Sequence, residues 1–196
     1  MKRVAILFAF ILSSLAAIAP ARATLTPVEL RCDYAVDPLG VDSAAPRLFW
    51  QVTGSGREQK QTAYQILVAD SAEALAQNEG NVWDSGRVTS GETIQIPCPG
   101  DKLKSWEQVF WKVQVWDGNS KPSGWSKPAT WTMGILSSND WQPARWIGAA
   151  NTNIPSLLVR REFTVKPGLR RALVNICGLG EYEMTIDGKK VGDEFI

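Results

Sequence analysis

"FWKVQVWDGNSKPSGWSKPATWTMG", Phe110–Gly134, holds four of the chain's nine tryptophans. Trp111, Val113 and Val115 alternate with Lys112, Gln114 and Trp116. A period of two marks a strand with one buried face. Asp117-Gly118-Asn119 is turn chemistry, and Ala129–Gly134 returns with Trp131 and Met133 in phase. The stretch reads as a hairpin in a β-layer. Its rings are either hydrophobic core or a platform for a ligand such as a sugar ring.

The same alternation recurs upstream. Arg47–Thr53 sets Leu48, Trp50 and Val52 against Arg47, Phe49 and Gln51, and Gln61–Asp70 is apolar on both sides. Val88–Pro97 alternates Thr93 and Gln95 with Ile94 and Ile96. With Val28–Asp33, Val82–Asp84, Gln108–Asp117 and Ala129–Gly134, the strands number about seven, as in an immunoglobulin-like or fibronectin type III β-sandwich. Ser71–Gln77 is a short helix with Ser71 as its N-cap, stopped by Asn78–Gly80. The phase predicts Trp50, Trp111 and Trp131 in the core. Trp116 lies on the opposite phase from Val115, and Trp125 lies in the approach to the last strand. These two are left to pack at an edge, to meet another domain, or to stack on a sugar face.

After Gly134 the texture becomes polar. Residues 24–135 are assigned to the sandwich, 136–155 to a linker and 156–196 to an incomplete second β-domain. That domain is expected to have strands at Leu157–Val165 and Leu169–Gly178 and a hairpin at Glu181–Ile196. Asp187-Gly188 suits a type I′ turn, which needs positive φ at both central residues. So few strands leave an apolar face poorly covered, and the second domain reads as truncated.

Residues 1–23 read as a signal peptide: Lys2 and Arg3, an apolar run Val4–Ala19, then Ala21-Arg22-Ala23 as a cleavage pattern. The run is short of the roughly 20 residues that span a bilayer. Export to the periplasm or the extracellular space follows, with no membrane span after cleavage. Lys plus Arg number 21 against 20 for Asp plus Glu, so no electrostatic footprint for nucleic acid is present. There is no histidine, which removes Ser-His-Asp and Cys-His machinery and His-based zinc sites. No metal or cofactor is expected. Cys32, Cys98 and Cys177 leave at least one thiol unpaired within the chain; Cys32 and Cys98 fall in one domain, as a disulfide or as buried thiols.

No acid–base pair stands out. Asp84, Asp117 and Asp187 sit beside turn glycines, and Glu92 and Glu107 lie on polar faces or strand edges. Arg160-Arg161, Arg170-Arg171 and Lys189-Lys190 read as surface charge, and Gly178–Tyr182 lacks the glycines and helix of a phosphate loop.

Several stretches taken in order carry a resemblance: "LRCDYAVDPLGVDSAAPRLFWQV" (30–52), "QTAYQILVADS" (61–71), "VWDSGRV" (82–88), "FWKVQVWDG" (110–118), "SGWSKPATWTMGIL" (123–136), "WQPARWIGA" (141–149) and "LLVRREFTVKPGLRRALVNICGLGEYEMTIDGKKVGD" (157–193). Together they resemble the N-terminal region of secreted bacterial α-L-rhamnosidases. The resemblance implies a fibronectin-type sandwich, then the start of a jelly-roll domain related to carbohydrate-binding modules. It implies a catalytic (α/α)6 barrel further along, which removes terminal α-L-rhamnose from glycosides with inversion. Inverting enzymes use two carboxyl groups, and the resemblance places neither in this chain, so the fragment is expected to be inactive alone. Its implied partners are that barrel and rhamnose-containing glycosides. Glu181 departs from the family pattern, which has an aromatic before Tyr182. The other reading is a stand-alone carbohydrate- or protein-binding module, with Trp116 and Trp125 as the sugar contacts.

Overall fold

The computed structural model describes residues 25–55, 57, 59–99, 103–150 and 156–192. The signal peptide assigned to residues 1–23 lies outside them. Among the described residues no helix is long and apolar enough to cross a membrane. The chain divides into two compact units between Arg145 and Trp146.

The first unit is a two-sheet sandwich. One sheet holds β1 (Leu25–Cys32), β2 (Arg47–Gly54) and β5 (Ile96–Pro97) in the order β1-β2-β5. The other holds β3 (Ala63–Ala69), β4 (Trp83–Asp84), β6 (Gln108–Trp116) and β7 (Ala129–Thr132) in the order β4-β3-β6-β7. Every strand pair in the two sheets is antiparallel. Seven strands on three and four match the expected sandwich.

The core forms where the inward phases meet. Trp50, Trp111 and Trp131 are fully buried, as the alternation predicts, with Leu48, Ile66, Val68, Val109, Val113 and Val115 around them. Trp111 and Trp131 meet edge to face with ring centres 6.5 Å apart, and Trp50 meets Tyr64 the same way at 5.2 Å. Such pairs add to the burial of the rings themselves. β3 is buried on both faces because one faces this core and the other lies under α1 (Ala72–Ala76), whose Leu75 packs on Leu67 and Ala69. The helix is N-capped by Ser71, whose side chain accepts from the Ala74 amide.

β1 is an edge strand. Its register slips between Val28 and Arg31, and Glu29 takes φ of 52°. A bulge with Pro27, Glu29 and Arg31 along the edge blunts it against pairing with another chain.

Two expectations need correction. The strand expected over Val88–Pro97 is mostly loop: Val88 makes one bridge to Tyr64, and only Ile96–Pro97 pairs with β2. Gln95 has φ of 55°, which breaks the alternation, so Ile94 is exposed while Ile96 is buried. The Gln61 side chain also takes the carbonyls of Ser90 and Glu92, and the Trp50 amide takes that of Thr93. These carbonyls serve tertiary contacts in place of a ladder.

The strands expected at Leu157–Val165 and Leu169–Gly178 do not form. Among its described residues, the second unit pairs only β8 (Thr185–Ile186) with β9 (Lys189–Lys190). Asp187 and Gly188 join them with φ of 49° and 74°, the predicted turn; part of the expected second arm, 193–196, lies outside the described residues. Leu158, Phe163 and Leu179 are 96%, 72% and 91% exposed. An apolar face that meets no second layer gives a sheet nothing to pack against.

For the cysteines the sequence left two readings open, and the structure shows the buried thiols. Cys32 and Cys98 are buried thiols and Cys177 is an exposed one. Cys32 lies opposite Leu48, whereas the Cys98 amide donates to the Pro46 carbonyl on the other side of β2. A whole strand separates them, and a disulfide needs Cα atoms within about 7 Å.

Candidate functional site

The outer face of the β4-β3-β6-β7 sheet carries both tryptophans singled out from the sequence. Along β6 it presents Phe110, Lys112, Gln114 and Trp116; opposite them on β3 stand Ala69, Leu67, Gln65 and Ala63. The face divides into a covered half and an open half.

The covered half lies under α1. Lys112 is buried, with no carboxylate against it among the described residues: its Nζ donates to the Leu75 carbonyl at 2.5 Å and to Asn78 Oδ1 at 2.6 Å. The Trp125 ring lies 5.0 Å from that ammonium, a cation–π distance, and packs against Leu67, Ala69 and Leu75. Burial pushes the Lys112 ammonium below its ordinary pKa. Trp125 therefore roofs a buried lysine and closes a small satellite core.

The open half holds Trp116 with groups that sequence patterning did not single out. The Arg87 guanidinium lies 4.8 Å from the centre of the half-buried Trp116 ring. Gln114 donates from Nε2 to the Ser123 carbonyl at 2.6 Å, and Gln65, opposite it, donates to Asp84 Oδ1 at 2.8 Å. Period-two phase alone put Gln114 beside Trp116. Gln65, Asp84 and Arg87 come from other segments, and only the strand register brings them there. Trp116 and Trp125 thus share a sheet face but stand in different surroundings.

The candidate carboxylates are bound into turns. Asp84 Oδ1 also accepts from the Gly86 amide, Asp117 Oδ1 accepts from the Asn119 and Lys121 amides, and Glu107 Oε2 accepts from the Lys104 amide. Asp187 sits in the β8–β9 turn and Glu92 is exposed. These are the roles short acidic side chains play in loops. No group of three or more His, Cys, Asp or Glu residues is placed to hold a metal ion among the described residues.

A second exposed feature went unread in the sequence. Between β1 and β2 the chain runs as a ridge, with Tyr34, Val36 and Leu39 exposed. Asp37 Oδ1 accepts from the Thr130 amide at 2.7 Å, and the Thr132 amide donates to the Pro38 carbonyl at 2.9 Å. The Tyr34 ring stacks on Phe49 at 4.4 Å and its hydroxyl accepts from Gln95 Nε2. Asp33, Tyr34 and Asp37 all have positive φ, a conformation that Asp tolerates better than most residues and that is uncommon for Tyr.

Comparison with known proteins agrees with this architecture. Residues 27–137 match the family described as "Rha78A-like, N-terminal immunoglobulin domain". An α-L-rhamnosidase of Formosa agariphila is 31% identical over 183 residues, covering 82% of this chain and 19% of that protein. One from Streptomyces avermitilis is 40% identical over 127 residues, covering 64% and 12%. The solved α-L-rhamnosidase from Dictyoglumus thermophilum superposes with a TM-score of 0.58 at 36% identity, covering 60% of this chain and 13% of that one. The chain spans less than a fifth of the length of these curated relatives. What it resembles is the N-terminal, non-catalytic domain of α-L-rhamnosidases. By the match over residues 27–137, the chain belongs to the Rha78A-like N-terminal immunoglobulin domain family.

Proposed function

We propose that the chain is the N-terminal, non-catalytic portion of an exported α-L-rhamnosidase, with hydrolysis of terminal α-L-rhamnose carried out by polypeptide it does not span. The observation that carries this reading is that Asp84, Asp117 and Glu107 accept hydrogen bonds from loop amides within two to four residues. An inverting pair needs two carboxyl groups about 6.5–9.5 Å apart across a substrate, one holding a proton at working pH. Carboxylates that hold turns are ill suited to that work. In this reading the sandwich braces a catalytic (α/α)6 barrel. The Tyr34–Leu39 ridge supports such a bracing role, since it is hydrogen-bonded to β7 and exposes Tyr34, Val36 and Leu39, and an aromatic held in place before contact suits a protein interface. The leader at residues 1–23 supports a periplasmic or extracellular location.

The test is hydrolysis of an aryl α-L-rhamnoside by the chain. No turnover above a blank is expected. Turnover that a substitution at Asp84, Asp117 or Glu107 abolishes would overturn the reading. A second reading, a stand-alone binding module, is favoured by the open polar half of the sheet face beside Trp116.

A further inference from the structure

We propose that the open half of the outer sheet face, running from Asp84 across Gln65 and Gln114 to Trp116 and Arg87, is a binding surface for the hydroxyl groups of a neutral glycan. This rests on the reading above, in which the domain serves a glycosidase without performing its chemistry.

The face is built for neutral, hydroxyl-bearing ligands in three respects. The first is rotamer fixing. Gln65 and Gln114 stand directly opposite each other on β3 and β6, and each commits its Nε2 inside the protein, to Asp84 Oδ1 and to the Ser123 carbonyl. Each amide keeps its Oε1 as an acceptor. Cross-strand partners hold their Cβ atoms about 5 Å apart, and from there the two amides reach outward, Gln65 toward Asp84 on β4 and Gln114 toward Ser123, so the acceptors lie in a row across the layer. Groups ordered before binding lose little entropy when a ligand arrives.

The second is the mixture of donor and acceptor. Sugar hydroxyls both give and take hydrogen bonds. The Asp84 carboxylate lies at one end of the row and the Arg87 guanidinium over Trp116 at the other. Their charges cancel, which favours a neutral ligand over an anion.

The third is the ring. Trp116 is half-buried with the Arg87 guanidinium 4.8 Å from its centre, so the ring and the cation lie together at the end of the row. Trp125 does not share this role, since its ring roofs Lys112 and packs on Leu67 and Leu75.

The experiment is an NMR titration of the whole chain with L-rhamnose, methyl α-L-rhamnoside and maltose. It follows the side-chain amides of Gln65 and Gln114 and the indole N–H signals. The titration runs to about 50 mM, past the weak, millimolar end of single-site binding. Saturable shifts at Gln65, Gln114 and Trp116 with at least one sugar are expected, with Trp125 still. Gln114→Leu removes an acceptor and keeps the ring, and Trp116→Ala removes the ring. Each is expected to weaken binding at least about fivefold, as loss of one well-placed hydrogen bond or ring contact does. The near-ultraviolet circular dichroism of Gln114→Leu checks that it is folded. Absence of saturable shifts with all three sugars overturns the proposal. So do shifts confined to other residues, or binding by folded Gln114→Leu equal to that of the parent. Rhamnoside turnover by the same sample would instead sink the underlying non-catalytic reading, so the two failures are separable.

Discussion

Trp50 donates its indole N–H to Oε1 of Gln61 at 3.0 Å, and the same Gln61 side chain donates from Nε2 to the carbonyls of Ser90 and Glu92. One buried amide therefore satisfies a core tryptophan and pins the loop that replaces an expected strand. Gln61→Leu leaves the indole N–H and two loop carbonyls unpaired. Leaving buried polar groups unpaired costs about 1–3 kcal/mol each, relieved where water enters. A loss of about 2 kcal/mol is expected by urea denaturation, with faster amide exchange over Ser90–Thr93. Unchanged exchange there would show that the loop is held by something else.

Lys112 ties the helix to the sheet. Its ammonium serves the Leu75 carbonyl and Asn78 Oδ1, both near the C-terminal end of α1. Lys112→Met keeps the aliphatic stem and removes the donor, so about 1–3 kcal/mol of stability is expected to go. Trp125 fluorescence should change as well, since the cation leaves its ring. A variant as stable as the parent would mean that water replaces the ammonium without cost.

Cys32 titrates far above an ordinary thiol, first because burial disfavours the thiolate, then because Asp33 and Cys98 lie near it. A raised folded-state pKa contributes stability that is complete below the unfolded value and declines as pH rises beyond it. The unfolded thiol ionises near 8.5, so stability is expected to fall above about pH 8.5. Burial raises Tyr64 and lowers Lys112, and both persist in Cys32→Ala. The difference between the pH profiles of parent and Cys32→Ala therefore reads Cys32, and parallel profiles would refute this account. In the native chain a thiol reagent should label Cys177 quickly and the buried Cys32 and Cys98 only after denaturation.

Gly134 closes the sandwich against the ridge. A Cβ there would stand 2.9 Å from the Gly40 carbonyl oxygen, whereas a Cβ on Gly124 meets nothing within 4 Å. The Gly134 amide also donates to the Val41 carbonyl at 2.7 Å. Gly134→Ala forces two backbones apart and is expected to cost about 1–3 kcal/mol, in the range of overpacked cores. Gly124→Ala should be near neutral. Equal thermal midpoints for the two variants would contradict the close approach.

Alternation of side chains was enough to place Trp50, Trp111 and Trp131 inside a β-sandwich, because a strand buries every second residue whatever it pairs with. Turn and capping chemistry placed the Asp187-Gly188 turn and the Ser71 cap, since local backbone conformation and near-neighbour hydrogen bonds set both. Alternation misread Val88–Pro97, where the side chain of a distant glutamine and the backbone amide of Trp50 claim the segment's carbonyls. It also overread 157–178, since apolar alternation makes strands only when a second layer covers them. The surroundings of Trp116 and Trp125 depended on register and on where the helix lies. Register pairs residues far apart in the chain, so Gln65, Asp84 and Arg87 meet Trp116 only after folding. The helix lies over one half of the face, where Trp125 packs half-buried beside Lys112, and Trp116 is left at the open end.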